Sequence, residues 1–138
     1  DKKEKKYFHS ILKKMCNLHN KKYYSKYKKW CDKYFYLPHR QEARGIGGIF
    51  FDYKMDNWEK DFLFVKNLGI TFAYLVNEIV EKKMFLKWTK KEKETQLQKR
   101  GRYVEYNLLY DRGTKFGLNS GGNPEAILMS MPPAAKWR

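Results

Sequence analysis

The stretch from residue 27 to residue 52 constrains this chain most. Tyr27, Trp30, Cys31, Tyr34 and Phe35 recur at helix spacing with lysines opposite, the pattern of an amphipathic helix. Pro38 stops it, because a proline disfavours helical backbone at the residue before it, here Leu37. A polar stretch, His39-Arg40-Gln41-Glu42-Ala43-Arg44, then leads into the glycine cluster Gly45-Ile46-Gly47-Gly48 and the apolar run Ile49-Phe50-Phe51-Asp52. Helix, break, glycine-rich loop and buried strand are expected in that order.

On the N-terminal side, Tyr7, Phe8, Ile11 and Leu12 give a short helical pattern. Beyond the apolar run, Asp56-Asn57-Trp58-Glu59 resembles a capping box and opens a helix with Trp58, Phe62 and Val65 on one face, ended by Gly69. Phe72, Leu75, Val76, Ile79 and Val80 mark a further helix, and Thr89 to Lys99 is polar and helix-compatible. The run from Arg102 to Tyr110 is rich in strand formers and reads as a long strand. Asp111-Arg112-Gly113-Thr114 reads as a turn, Phe116-Gly117-Leu118 as a returning strand, and Ala126 to Met131 as a last strand stopped by Pro132-Pro133. Without a regular β-α-β alternation, the fold class expected is α+β, an antiparallel sheet flanked by helices on both faces.

The formal charge is +15, which raises nucleic acid as a partner. Its distribution weighs against that. Nearly all the basic residues are lysine, the ordinary solvated cation, whereas arginine is favoured where a planar fork grips an anion. Of six arginines, Arg40, Arg44, Arg100, Arg102 and Arg112 lie in or beside the glycine-containing segments, so they are the more informative charges. Cys16 and Cys31 have neither metal-site spacing nor the density of a disulfide scaffold, and read as reduced, half-buried thiols of a reducing compartment. No run approaches the roughly 20 uninterrupted apolar residues of a membrane span, so none is expected. The chain opens on Asp1 and closes on Lys136-Trp137-Arg138 just after an apolar run, which reads as two cuts in a longer polypeptide, with residues 1–138 as a single partial domain.

Two constellations can carry chemistry. In the first, His39, Arg40 and Arg44 precede glycines, so guanidinium forks and close-lying backbone amides can clamp a carboxylate or phosphate. The alternative is a tight turn in which Glu42 neutralises an arginine. In the second, Arg100-Gly101-Arg102 leads to Asp111-Arg112-Gly113-Thr114, where Asp111 and Arg112 either hold a turn or face a substrate. An aspartate beside an arginine stays ionised, suited to a pyrrole N–H or a developing cation. His9 and His39 flank one helical region and can converge, but no third ligand lies near, so zinc-type coordination is weakly supported.

These residues carry a resemblance. The run from His39 to Asp52 resembles the H-R-x-E-x-R-G-I-G-G-[IL]-F-F-D signature of oxygen-dependent coproporphyrinogen III oxidases, as does its approach, Lys28 to Asp32 with Tyr34-Phe35. Arg100 to Glu105, Asn107-Leu108 and Asp111 to Thr114 are similar to the family's second signature, continued by Phe116 to Leu118, Gly121-Gly122 and Glu125 to Ser130. The resemblance implies oxidative decarboxylation of two propionates of coproporphyrinogen III to vinyl groups, giving protoporphyrinogen IX in haem biosynthesis. Molecular oxygen is the implied co-substrate, with no organic cofactor. It implies a flat antiparallel sheet between helices, a homodimer through the region from Tyr103 onward, and a cytoplasmic enzyme (mitochondrial in eukaryotes of the appropriate type). His9 and His39 match active-site histidines that some members use for a divalent metal. Asp111 and Arg112 match a catalytic pair in the pocket. Arg44, Gly121, Gly122 and Asn123 are the implied substrate-binding residues, although the family often has arginine where Asn123 stands. Tyr53 replaces a usual aspartate and Tyr106 a usual phenylalanine. Family members are much longer, and their N-terminal half holds further active-site histidines, so activity of this piece alone is not expected.

Two other readings compete. One is a basic nucleic-acid-binding module, from lysines interleaved with Tyr and Trp over residues 20–36, although those rings share one helix face, as core residues do. The other is a non-catalytic remnant of the oxidase.

Overall fold

The computed structural model describes residues 2–137. The element order is α1 (Lys2–His19), α2 (Tyr23–Tyr34), β1 (Tyr36–Leu37), a 3-10 turn (Pro38–Arg40), β2 (Glu42–Ala43), α3 (Trp58–Lys83), α4 (Lys90–Leu109), α5 (Arg112–Asn119) and α6 (Pro124–Ile127). The chain is therefore α+β in a lopsided sense, mostly helical with one small two-stranded antiparallel sheet. It divides into two compact units. One holds α1, α2, the segment from residue 46 to 57, and α3; the other holds the sheet, α4, α5, α6 and the C-terminal segment.

The first unit is built around aromatic rings. Met15 and Cys16 of α1, Tyr27 of α2 and Phe64 of α3 form its buried centre, with Tyr23, Tyr24, Ile49, Phe51 and Leu68 packed against them. Phe51 lies 5.0 Å from Tyr27 and 5.4 Å from Phe64 between ring centroids. Such pairs add about 0.5–1.5 kcal/mol each beyond the area they bury. The aromatic residues of α2 thus pack inward rather than forming a stacking platform. Cys16 and Cys31 are buried outright, not half-buried, and burial pushes the Cys16 thiol up to about 11.

The run from Ile49 to Asp52 enters this core, but not as a strand. One backbone bond, from Phe50 N–H to the Tyr27 carbonyl (3.1 Å), ties it to α2, and burial of its rings does the rest. A glycine is required at Gly47, where φ is +76° and an added Cβ would sit 3.0 Å from Asp32 Oδ1.

The start of α3 falls where expected, but not through the expected box: Asn57 is the N-cap, and Asp61 rather than Glu59 accepts from the Asn57 N–H (3.1 Å). The Asn57 side chain accepts from the Lys60 N–H at 3.0 Å. The extent of α3 differs too: the expected stop at Gly69 and restart are absent, and α3 runs through Gly69 to Lys83. A mid-helix glycine costs about 1 kcal/mol relative to alanine, which packing of Phe64 and Leu75 readily outweighs. The buried face is also not the expected one. Asp61, Phe64 and Leu75 are buried, while Trp58, Phe62 and Val65 are exposed. Among the described residues, α3 is the one helix long and apolar enough to cross a membrane by length and composition.

The second unit overturns three strand expectations. A capping box of Thr89 and Glu92 launches α4, which continues through the expected strand at residues 102–110 as far as Leu109. Strand preference reflects packing on a pleated surface more than the backbone itself, and no such surface is here. On a helix, Arg102, Glu105 and Tyr106 share one side, and Tyr106 is buried. The expected turn and strand over residues 111–118 form α5 instead, and residues 126–131 form the end of α6 and a bend. The C-terminal segment crosses α4. Lys136 N–H donates to the Leu97 carbonyl (3.1 Å), and a Cβ at Gly101 would collide with the Lys136 carbonyl.

Candidate functional site

The sheet lies where no strand was expected, around the polar signature. Tyr36 pairs with Ala43 and Leu37 with Glu42, so the 3-10 turn and Gln41, in the left-handed conformation (φ 52°), form the hairpin tip. This places His39 and Arg40 at the tip, and both reach α4. The Arg40 fork donates to both oxygens of Glu105, Nε at 3.0 Å and Nη2 at 2.7 Å. His39 Nε2 lies 2.7 Å from the same carboxylate, and its Nδ1 lies 2.8 Å from the Tyr110 hydroxyl. Arg102, one turn away on α4, adds a longer contact of 3.4 Å to Glu105 and donates to Glu42 at 2.5 Å. Lys99 completes the Glu42 seat at 3.3 Å.

Two guanidinium groups and an imidazole around one carboxylate have a clear electrostatic result. The Arg40 guanidinium, against the opposing pull of burial and with help from His39, holds Glu105 down at about 2. Glu42 is lowered too, chiefly by Arg102. Glu42 does neutralise an arginine, as the structural alternative held, but an arginine of α4 rather than of its own segment. Arg44 takes a different seat. Its guanidinium stacks over Phe35 (4.2 Å), Tyr106 (5.0 Å) and Tyr103 (5.2 Å), a three-ring cage.

Asp111 and Arg112 follow directly on Tyr110, the partner of His39. Asp111 is the N-cap of α5, and its carboxylate accepts from the Thr114 N–H (2.8 Å) and hydroxyl (3.0 Å). Its N–H donates to the Tyr106 carbonyl at 3.1 Å. Gly121, Gly122 and Asn123 make the turn from α5 to α6. Gly121 has φ +74°, Gly122 N–H donates to the Gly117 carbonyl (3.0 Å), and the Asn123 side chain accepts from the Glu125 N–H (3.1 Å).

His9 belongs to the other unit, where it anchors the glycine loop. Its Nε2 lies 2.9 Å from the Ile46 carbonyl and its Nδ1 3.1 Å from the Tyr24 hydroxyl. The divalent metal suggested for His9 and His39 fits neither ring, because both nitrogens of each already have protein partners. Nor do the described residues contain a group of three or more His, Cys, Asp or Glu side chains able to hold a metal ion.

Glu105 and Tyr110 are the residues that sequence reasoning missed. Glu105 stands in the second signature and Tyr110 just before its Asp111 turn, but reading the run as a strand hid the helical i, i+3 pairing of Arg102 with Glu105 that would have flagged Glu105.

Comparison with known proteins agrees with both signatures. The sequence model of the coproporphyrinogen III oxidase family matches residues 1–138. Proteins named oxygen-dependent coproporphyrinogen-III oxidase from Rickettsia bellii and Rickettsia rickettsii are each 56% identical over 131 residues, which is 94% of this chain. The chain spans 47% of the length of these relatives, so it corresponds to about half of each. A match from one end of the chain to the other, at this identity, is far beyond what two short motifs could produce: the chain belongs to the coproporphyrinogen III oxidase family.

Proposed function

We propose that this chain is the part of an oxygen-dependent coproporphyrinogen III oxidase that carries the His39–Glu105 cluster and the Asp111 turn. The observation that carries this is the 56% identity over nearly the whole chain to relatives that bear that name. In the reaction, each of two propionates loses carbon dioxide and a hydride equivalent to become a vinyl group. Oxygen accepts the electrons, and the product is protoporphyrinogen IX.

The substrate carries carboxylates and pyrrole N–H groups, and the proposed roles follow from that. Arg40 and His39, each about one-third exposed at the hairpin tip, keep donors within reach of solvent. Together with Arg44 they are the proposed carboxylate-facing set. Asp111 and Arg112 are proposed as the catalytic pair, Asp111 taking pyrrole N–H groups and opposing charge on a ring as it is oxidised. His39 and His9 are proposed as active-site histidines acting through hydrogen bonds. Gly121, Gly122 and Asn123 are proposed to line the substrate at the α5–α6 turn. The same proposal makes residues 1–138 one partial domain of a cytoplasmic homodimer that pairs through the region from Tyr103 onward.

The test is turnover of coproporphyrinogen III by the complete native polypeptide under air and under nitrogen. Oxygen-dependent formation of protoporphyrinogen is expected, and its absence from a folded protein sinks the proposal. Asp111→Asn separates the aspartate's two roles. Asparagine caps a helix as well as aspartate does, so stability is expected to stay within about 0.5 kcal/mol while turnover falls by about 100-fold or more. Turnover near normal in this variant would leave Asp111 a helix cap and nothing more.

A further inference from the structure

The helix α3 is apolar over more of its circumference than its own unit covers. Asp61, Phe64, Leu68 and Leu75 face inward, with Phe64 and Leu75 fully buried. Beside that face, Trp58, Phe62, Val65, Phe72, Val76 and Val80 follow the three-and-four spacing of a seam that lies against a partner. All six are exposed, from 39% at Val76 to 75% at Trp58. A helix apolar nearly all round belongs inside a larger protein or a membrane, and folded soluble proteins rarely leave so continuous a patch in water.

Gly69 gives a second, independent sign. It stands in the seam between Val65 and Phe72, in mid-helix, where only proline is a poorer choice. A Cβ added there would meet nothing within 4 Å, so no described neighbour requires a glycine. A residue without a side chain inside an apolar seam suits the close approach of a facing backbone.

The occupant follows from length. More than half of each matched relative has no counterpart in this chain, which spans 47% of them. We propose that the exposed seam of α3 is the docking face for that remaining part of the coproporphyrinogen III oxidase polypeptide, which closes against Gly69. A bilayer fits less well, because it would have to take in Asp61, Lys66 and Glu78 along with the seam. The inference rests on family membership and not on the proposed reaction, so its test needs no turnover.

In the complete native polypeptide, Phe72→Cys is treated with a small maleimide beside Glu81→Cys, an exposed control on the same helix. Cys16 and Cys31 are buried, and the unsubstituted polypeptide, labelled in parallel, gives the background to subtract. Labelling at position 72 is expected to be about tenfold slower or more than at position 81, with the two rates converging in urea. Equal rates in the native state overturn the proposal. So does protection that vanishes on dilution, which assigns the seam to a second copy, or protection that appears only with lipid vesicles. A native reading frame lacking the other half overturns it as well. If Phe72→Cys does not fold, Gly69→Ala decides. Helix propensity alone raises the melting temperature, a closed seam lowers it, and a rise overturns the proposal.

Discussion

Lys54 in the first unit and Glu105 in the second each centre a charge cluster, and the two are built in opposite ways. The Lys54 side chain is only 5% exposed. It donates to the Tyr23 hydroxyl at 2.9 Å and to Asp61, and its ammonium lies over the Tyr23 ring. Burial pulls its pKa down, but the bonds to Asp61 and Tyr23 outweigh burial and leave it raised. The Asp61 carboxyl is lowered in return. The cluster is one cation against one buried carboxylate beside aromatic rings, with the exposed Asp56 carboxylate farther off at 3.6 Å. Glu105 is a carboxylate 10% exposed, surrounded by Arg40, His39 and Arg102, of which Arg40 and His39 stay about one-third exposed. The Lys54 cluster keeps its cation buried and turned to carboxylates and rings of its own unit. The Glu105 cluster surrounds its carboxylate with several partners, two of which, Arg40 and His39, border solvent.

That contrast is broken most directly at Lys54. Lys54→Met leaves Asp61 in place without its main cation, and breaking a buried pair from one side is expected to cost about 3 kcal/mol in denaturant unfolding. Adding Asp61→Leu is expected to restore much of the loss, since an apolar pair tolerates burial better than a lone charge. A loss well under 1 kcal/mol for Lys54→Met would show that the pair is not closed.

Glu105→Gln comes next. It removes the charge and keeps the shape, and weakening the bonds to Arg40 and His39 is expected to cost about 1–2 kcal/mol near neutral pH. The pH dependence has a definite sign. Pairing lowers the folded-state value of Glu105 from the ordinary 4.5 to about 2. Above pH 4.5 the carboxylate is ionised in both folded and unfolded chains, and its stabilisation is complete. As pH falls from there towards 2, the unfolded chain takes up its proton first and the stabilisation drains away. The stability gap between the natural protein and Glu105→Gln is therefore expected to narrow across that interval. A gap constant over the interval would mean that Glu105 is not held by cations.

The two clusters also differ in how far the sequence disclosed them. His39, Arg40 and Arg44 stood out because arginine is scarce in a lysine-rich chain and because glycines follow. Their partners did not. A run such as Arg102 to Tyr110 has the composition of a strand, and composition cannot say whether a pleated neighbour exists to receive it. The capping box at Thr89 was the local signal that a helix starts there, but nothing nearby marks where it stops. Asn57 announced α3 correctly, yet Gly69 misled, because a glycine's helix penalty is small beside the packing of Phe64 and Leu75. The Lys54 cluster escaped notice altogether, since one lysine among 24 carries no mark of burial.

The smallest effect tests the finest difference between the clusters. Tyr23 supports Lys54 from the edge of the core, whereas Tyr110 supports His39 from the C-cap of α4. Tyr110→Phe removes one hydroxyl and keeps the ring beside the imidazole, whose centroid lies 5.6 Å away. With the His39 side chain about one-third exposed at the hairpin tip, water can replace the lost bond, so the stability cost is expected to be about 0.5 kcal/mol. The larger change is expected in the nitrogen chemical shifts of the His39 ring, because the hydroxyl and Glu105 together set which nitrogen carries the proton. Unchanged ring shifts in Tyr110→Phe would leave Glu105 as the sole director of His39, and would make the second cluster as dependent on one ion pair as the first.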